Sequence, residues 1–307
     1  MTSRSHPEAG RGPVFLLGPA RSGTSLLYKA LCLHPRAGYI SNWVRKYPSA
    51  PGFAALNRLP RRLAGARRSV WFGSDSNAYV YGKARSTLER VFPMPVEGEP
   101  LFTRCGLTQY SWETEASPEQ QRQALRKAFS TLRRASGSDV VVNKRIANNR
   151  RVPQLHRAFP EGRFVSIVRD GRAVAYSLSR VDWWEDDIVW WYGDTPKQWA
   201  AEGRDPWEIC ARNWVEELNA IEAGLAEVPD PQQLAITYEA FVADPLAVLS
   251  QVADFAGLPR SRGWEDELSR LSFPDRNEAW TKKLDPEVTA LVESIQGPAL
   301  DRYGYAC

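Results

Sequence analysis

A glycine-rich turn between an apolar run and a second apolar stretch is the feature that most constrains the fold of this chain. Apolar residues 14–17 precede the turn, which spans residues 18–25 with the sequence GPARSGTS, and residues 26–31 follow it. In such a turn the backbone N–H groups and the positive end of the following helix converge on an anion. The sequence therefore predicts a buried strand, a phosphate-binding loop and a helix in succession.

The loop departs from the usual nucleotide-binding motif at one position. Its spacing matches G-x-x-x-x-G-K-[ST], but Thr24 occupies the lysine position and Arg21 supplies the cation. Kinases and ATPases use that lysine together with magnesium held by an acidic strand. Here the apolar runs 139–143 and 163–168 are followed by cations, so we expect an anionic nucleotide held without a metal ion. A tight turn without a ligand is the simpler alternative.

Strand-like and helix-like runs alternate along the chain. Strands are predicted at residues 14–17, 37–41, 139–143, 163–168 and 233–237, and helices at residues 118–137, 151–159, 172 onwards, 245–256 and 286–300. This alternation is typical of a parallel sheet whose ligands lie at the carboxyl ends of its strands. We expect an α/β, three-layer, P-loop-like fold with helices flanking the sheet.

The predicted organisation is a single domain over residues 13–307, preceded by a disordered tail at residues 1–12. Two stretches, 43–112 and 181–205, are expected to be irregular insertions or lids beside the ligand site, because long irregular stretches in a regular domain are usually functional.

Composition narrows the cellular setting. Hydrophobic residues make up 43% of the 307 residues. No apolar run approaches the roughly eighteen residues of a membrane span, so we expect a soluble protein. The widely spaced cysteines argue against a zinc site or a disulfide framework and favour the cytoplasm. The net charge of +4 permits nucleic-acid binding without requiring it. The basic run 58–68 is expected either to contact an anionic partner, such as lipid headgroups, or to be a solvated face.

A second polar motif follows the strand at residues 163–168. Arg169 ends this strand, and Ser177 lies about two helical turns further on, near Arg180. A guanidinium and a hydroxyl so placed are suited to hold a second phosphate. The alternative for Arg169 is a salt bridge to Asp170 or to an acidic helix.

Together these motifs resemble sulfotransferases that use 3′-phosphoadenosine 5′-phosphosulfate (PAPS), a family that lacks the kinase lysine and needs no magnesium. Residues 21–25 resemble the family's 5′-phosphosulfate loop, and residues 169–177 (RDGRAVAYS) resemble its 3′-phosphate motif. Asn143-Lys144 and the Arg-Asp-Gly-Arg turn are most similar to tyrosylprotein sulfotransferases and their bacterial relatives.

The resemblance implies roles for individual residues. Arg21 and Lys144 would stabilise charge during transfer, with Lys144 acting on the leaving oxygen. For Lys144, an ion pair at the strand end is the alternative. Tyr238 would contact adenine, and residues 280–283 would cover the nucleotide. The implied nucleotide-binding residues are Arg21, Ser22, Gly23, Thr24, Ser25, Arg169, Ser177, Tyr238, Trp280 and Lys283. For Ser25, capping of the helix is the alternative.

The resemblance is incomplete at the base that would accept the acceptor's proton. Tyrosylprotein-type relatives carry a glutamate after a His-Pro pair, but residues 38–43 after His34-Pro35 hold no carboxylate. Asp75 is the preferred candidate, whereas His34 is expected to end a helix and pair locally. The other candidates are Glu97, Glu99, Glu113, Asp182 and Glu185.

The acceptor side is expected near a tryptophan-rich segment. Seven of the twelve tryptophans lie within residues 183–214, interleaved with acidic residues at 182–187. Such rings stack on sugars or cover apolar acceptors, whereas nucleic-acid surfaces alternate aromatic and basic residues. Trp183, Trp184, Trp190 and Trp191 could therefore cover a glycan, phenol or lipid-linked acceptor, or could belong to a packed aromatic subdomain.

The sequence thus predicts a sulfotransferase that moves the sulfuryl group from PAPS to a hydroxyl or amine of a carbohydrate, lipid or secondary metabolite. A P-loop kinase or NTPase is one alternative. A non-catalytic module that binds nucleotide or nucleic acid is another, although we expect no nucleic-acid partner.

Overall fold

The computed structural model describes residues 12–73, 87–108 and 116–305, and a five-stranded sheet lies at the centre of this part of the chain. All neighbouring strands run parallel. In spatial order the strands are β2 (Ala37–Gly38), β3 (Val140–Lys144), β1 (Val14–Leu17), β4 (Arg163–Val168) and β5 (Gln233–Thr237). The predicted α/β fold with a central parallel sheet is confirmed.

Helices cover both faces of the sheet. The described α-helices are α1 (Thr24–Cys32), α2 (Asn42–Lys46), α3 (Arg58–Arg62), α4 (Ala64–Phe72), α5 (Thr87–Val91), α6 (Glu99–Arg104), α7 (Pro118–Ser136), α8 (Val152–Ala158), α9 (Gly171–Leu178), α10 (Pro196–Ala201), α11 (Pro206–Leu225), α12 (Tyr238–Ala243), α13 (Pro245–Phe255), α14 (Arg262–Leu268) and α15 (Pro286–Arg302). Short 3₁₀ helices span Pro51–Asn57, Ile146–Arg150, Trp184–Asp186, Asp230–Gln232 and Asn277–Ala279.

Strand β1 shows why three layers form. Its four side chains are at most 1% exposed, and successive side chains of a strand point to opposite faces. Val14 and Leu16 pack into a cluster with α1 and α13, whereas Phe15 and Leu17 pack with α7, α8 and α11. A continuous apolar run is therefore needed on this central strand.

The strand register brings the polar motifs to one edge of the sheet. Leu16 of β1 pairs with Lys144 of β3, and Leu17 pairs with Ser166 of β4. The loop after β1, the end of β3 and Arg169 after β4 therefore meet at the carboxyl edge, as parallel strands require.

Local signals predicted several elements closely. Helix α7 begins with the capping box of Ser117 and Gln120 and ends at Gly137, whose φ is 63°. Two regions differ from expectation. Strand β2 has two residues, and the described parts of 43–112 consist largely of short helices. Residues 1–11 of the predicted tail lie outside the described residues, whereas Gly12 is buried.

Candidate functional site

The loop at residues 18–25 adopts backbone conformations that favour glycine. Gly23 has φ +83°, and a Cβ there would lie 2.7 Å from the Tyr238 ring. A Cβ on Gly18 would lie 2.5 Å from the carbonyl oxygen of Ile167. Arg21, with φ 71°, is the one non-glycine residue with positive φ among the described residues. Such strain concentrates at ligand-binding sites.

The loop also presents hydroxyl groups suited to an anion. The side chains of Ser22 and Thr24 are buried, and their hydroxyl oxygens have no hydrogen-bond partner among the described residues. Helix α1 begins at Thr24 without a side-chain cap, so Ser25 does not cap it. Buried hydroxyl groups and the first N–H groups of a helix need hydrogen-bond acceptors. Phosphate oxygens are such acceptors, so this loop fits a bound phosphate.

Two buried residues that sequence reasoning missed hold the loop in place. The Asn149 side chain accepts a hydrogen bond from Gly18 N and donates one to Gly18 O, both at 3.1 Å. Asn149 also donates to a carboxylate oxygen of Glu217 at 2.6 Å. Burial raises the pKa of Glu217, although Arg150 and these hydrogen bonds oppose the shift. No local pattern connects residues so far apart in sequence.

A first cavity of about 350 Å³ lies beside the loop. Its lining includes five of the predicted nucleotide-binding residues: Arg21, Gly23, Arg169, Ser177 and Tyr238. The Arg21 Nε donates to the Ser177 hydroxyl at 2.9 Å, across 156 positions of sequence. The two motifs that the sequence predicted as phosphate sites therefore meet here.

Arg169 connects the loop, Tyr238 and the C-terminal segment. Its guanidinium donates to Arg21 O, Arg276 O and Asn277 Oδ1 at 2.8–3.0 Å, and lies 4.3 Å from the Tyr238 ring centroid. Burial lowers the pKa of Arg169. The alternative of a salt bridge to Asp170 is not what the structure shows, because Asp170 pairs with Arg172.

The C-terminal segment contributes different residues from those predicted. Among the described residues, Arg276 and Ala279 line the first cavity. Trp280 instead lies against the Arg172 guanidinium, 4.8 Å from it, and Lys283 lines an adjoining cavity that shares Tyr176 and Arg180 with the first. Binding of nucleotide by Trp280 and Lys283 therefore stays a prediction.

A second cavity of about 610 Å³ opens on the other side of the loop. Ala20 and Ser25 of the loop line it, together with Lys144 from the end of β3. The Lys144 ammonium forms an ion pair with the Glu97 carboxylate. Arg145 also binds Glu97 at 2.6 Å. Burial raises the pKa of Glu97, but the two cations more than offset this effect and bring it to about 2.

Backbone pairing explains the position of Glu97. Val96 N donates to Ile40 O at 2.9 Å, and Asn42 N donates to Met94 O at 3.2 Å. The segment 94–97 therefore runs beside residues 40–42, directly after β2. This is the strand end where the sequence lacked the family's glutamate.

The tryptophan-rich segment divides between cavity and core. Trp183, which is 39% exposed, lines the second cavity with Trp184 and Trp190. The Trp190 Nε1 donates to Glu217 at 2.8 Å. Trp199 and Trp214 are at most 1% exposed and belong to the core. The segment therefore contributes some of its tryptophans to the lining of the second cavity and others to the core.

The other candidate bases are not part of the described lining of the second cavity. Asp75, the preferred candidate, and Glu113 lie outside the described residues. Glu99 pairs with Arg145 and Arg151. Asp182 and Glu185 are exposed and do not belong to the described lining of the second cavity.

His34 is a structural residue, as expected. Its Nε2 lies 2.8 Å from Pro259 O, and its Nδ1 accepts from Arg36 N at 3.1 Å. Burial lowers its pKa, so the ring stays neutral with both nitrogens engaged.

Among the described residues, no group of three or more His, Cys, Asp or Glu side chains is arranged to hold a metal ion. No described helix combines the length and the apolar character needed to cross a membrane.

Comparison with known proteins gives consistent matches. A family model described as a sulfotransferase family matches residues 13–265. The fold is similar to that of sulfotransferase STF9 from Mycobacterium avium, at 15% identity and a TM-score of 0.57, covering 97% of this chain and 79% of that one. STF1 from Mycobacterium tuberculosis H37Rv matches at 17% identity and 0.54, covering 94% and 77%. The sulfotransferase domain from the curacin biosynthetic pathway matches at 15% and 0.52, covering 94% and 97%.

Proposed function

Because the chain belongs to the sulfotransferase family, we propose that it transfers the sulfuryl group of PAPS to a hydroxyl or amine of a carbohydrate, lipid or secondary-metabolite acceptor. The observation that carries the proposal is the position of the loop between two cavities. Arg21 and Gly23 line the first cavity, whereas Ala20 and Ser25 line the second. A sulfuryl group held at the loop would therefore face the first cavity, which would hold the rest of the nucleotide, and the second cavity, which would hold the acceptor.

We assign the first cavity to the nucleotide. The loop hydroxyls of Ser22 and Thr24 would bind the 5′-phosphosulfate end, and Arg21 with Ser177 would bind phosphate oxygens through charge-assisted hydrogen bonds. Tyr238 offers a ring face for adenine, and the Arg169 guanidinium holds that ring in position from a distance of 4.3 Å.

We assign the second cavity to the acceptor, and the ion pair of Lys144 and Glu97 in its lining to the chemistry. The acceptor oxygen or nitrogen attacks sulfur in line while the bond from sulfur to the bridging oxygen breaks. The acceptor's proton passes to the Glu97 carboxylate. The electron pair of the broken bond stays on the bridging oxygen of adenosine 3′,5′-bisphosphate, and Lys144 stabilises the charge that develops there.

The ion pair between Lys144 and Glu97 makes the basicity of Glu97 depend on the position of Lys144. With both cations attached, the pKa of Glu97 is about 2, which makes a weak base. When Lys144 turns towards the leaving oxygen, Glu97 loses one of the two cations that lower its pKa. Its basicity then rises at the moment the donor is in place. We therefore propose Glu97, rather than Asp75, as the base.

Thermal unfolding in the presence of nucleotides tests the donor assignment. We expect adenosine 3′,5′-bisphosphate to raise the melting temperature without magnesium, and more than ATP does. Arg21→Ala should abolish the shift. Lys197→Ala, which removes an exposed cation outside the lining of both cavities, should retain it.

Two results would contradict the proposal. A shift that requires magnesium, or a larger shift with ATP, would favour a kinase or an NTPase. Binding of the bisphosphate without transfer of labelled sulfate from PAPS to any member of a panel of sugar, phenol and lipid hydroxyls would favour a non-catalytic nucleotide-binding module.

A further inference from the structure

A surface outside the described lining of both cavities combines exposed apolar side chains with positive charge. It is formed by α2, the 3₁₀ helix Pro51–Asn57, α3 and the start of α4, and we call it the α2–α4 face. Monomeric proteins rarely expose such contiguous apolar groups without a partner. Its large apolar side chains with more than a third of their surface exposed are Tyr47, Phe53, Leu56, Leu59 and Leu63.

The charge of this segment has one sign only. Residues 42–72 contain seven cations and no aspartate or glutamate. Arg67 pairs with Glu267 of α14, and Arg61 donates to Ser136 O and Ala37 O, so these two are used internally. The other cations of the segment are Arg45, Lys46, Arg58, Arg62 and Arg68. Of these five, four are exposed and Arg68 is half-buried.

Aromatic rings add a third feature. Trp43, Tyr47 and Phe53 stack on one another with centroid distances of 5.0–6.4 Å. The Lys46 ammonium lies 5.8 Å and 5.5 Å from the Trp43 and Tyr47 centroids. Tryptophan and tyrosine beside lysine and arginine are typical of the level of lipid headgroups, where a ring has an apolar and a wet side.

The exposed apolar residues are not the side chains with which these helices pack against the rest of the protein. The same elements bury a separate set of side chains against the domain, namely Val44, Ala54, Asn57 and Pro60. The Asn57 amide donates to Tyr39 O at 2.8 Å and so connects the 3₁₀ helix to the chain beyond β2. The segment is therefore apolar inwards and also apolar outwards.

We propose that the α2–α4 face docks on an anionic lipid surface. The exposed arginines and Lys46 attract headgroup phosphates, and Phe53, Leu59 and Leu63 enter the boundary between headgroups and acyl chains. A two-fold contact with a second copy is disfavoured, because it would bring together two segments that carry cations and no carboxylates. This inference does not depend on the proposed function.

Sedimentation with vesicles tests the proposal on the full chain, without nucleotide. We expect binding to phosphatidylcholine vesicles that contain phosphatidylserine, weak binding to pure phosphatidylcholine, and a loss of binding at high salt. Phe53→Ser/Leu59→Ser should weaken binding to the anionic vesicles about tenfold, because two apolar side chains no longer insert. Because Phe53 also stacks on Trp43 and Tyr47, far-ultraviolet circular dichroism checks the fold of the variant and should match that of wild type.

Matched variants distinguish binding through the α2–α4 face from binding through the overall charge or hydrophobicity of the chain. Leu246→Ser removes a leucine that is 43% exposed on α13, near the opposite edge of the sheet, and should bind as wild type does. Arg45→Gln/Arg62→Gln should weaken binding about tenfold. Lys197→Gln/Lys282→Gln, which removes the same charge elsewhere, should have little effect.

Four outcomes would overturn the proposal. One is no binding to anionic vesicles, and a second is unchanged binding by the Phe53→Ser/Leu59→Ser variant. A third is an equal loss in the Leu246→Ser or Lys197→Gln/Lys282→Gln controls. The fourth is a dimer in analytical ultracentrifugation that Phe53→Ser/Leu59→Ser dissociates, since it would show that the face joins two copies.

Discussion

The two sides of the loop at residues 18–25 are built in different ways. The first cavity is lined largely from three short stretches, the loop, residues 169–181 and the segment 274–279. The second cavity collects side chains from the end of β3, the segment before α6, the tryptophan-rich segment and α11. One side is thus assembled from local motifs and the other from distant segments.

This difference follows from what each side would bind. A nucleotide presents the same phosphates in every family member, so one loop and one helix start can hold them with a fixed spacing. An acceptor differs between enzymes. Its proposed pocket takes side chains from Glu97 and from the segment 183–190, around the strand end at Lys144.

The largest effect on one cavity without an effect on the other is expected from Glu97→Gln. The variant keeps the shape of the second cavity but removes the proposed base, so turnover should fall about a thousandfold. The melting shift with adenosine 3′,5′-bisphosphate should persist. Sulfate transfer to the best acceptor of a panel, measured beside the melting shift, separates the two effects.

Asp75→Asn is the matched comparison for that experiment. If Asp75 is the base, this variant loses turnover while Glu97→Gln retains it, and the assignment of the second cavity's chemistry to Glu97 fails. With Glu97 as the base, Asp75→Asn should change turnover no more than about threefold.

Arg21→Ala should affect the opposite side. The lost contacts to phosphate are charge-assisted, so the affinity for adenosine 3′,5′-bisphosphate should fall about a hundredfold. Isothermal titration calorimetry would measure it. Lys197→Ala, at an exposed residue of α10 outside the lining of both cavities, is the control. An equal loss in both variants would mean that net positive charge rather than the first cavity holds the nucleotide.

A smaller effect is expected from Trp183→Ala in the second cavity. This ring is 39% exposed and lines the cavity. Its removal should raise the acceptor KM about tenfold and change kcat less, because stacking contributes to binding before the reaction. Trp207→Ala, on α11 outside the described lining, should leave KM unchanged. An equal rise in both would argue against stacking at Trp183.

The difference between the two cavities also determines which site residues could be predicted from the sequence. Arg21 and Ser177 were predictable because each belongs to a short motif next to a strand, and parallel strands bring such motifs to one edge. Glu97 appeared among six possible acids, because only the pairing of residues 94–97 with 40–42 selects it. Asn149 left no local signal, since its contacts to Gly18 span 131 positions. For Trp280 the sequence indicates only the neighbourhood of the covering segment, whereas the direction of the ring, which lies against Arg172, depends on tertiary packing.

The smallest effect concerns stability and contrasts two glutamates of the second cavity. Cations lower the pKa of Glu97 from 4.5 to about 2, so its ionised form stabilises the fold above pH 4.5 and this stabilisation disappears as pH falls towards 2. Burial raises the pKa of Glu217, so the folded chain binds its proton more readily and stability falls as pH rises above 4.5. Urea unfolding of Glu97→Gln and Glu217→Gln between pH 3 and pH 7 should therefore show differences from wild type with opposite slopes. Slopes of the same sign would mean that Glu97 is not held by Lys144 and Arg145 in the folded chain, and the proposed rise in its basicity when Lys144 moves would lose its basis.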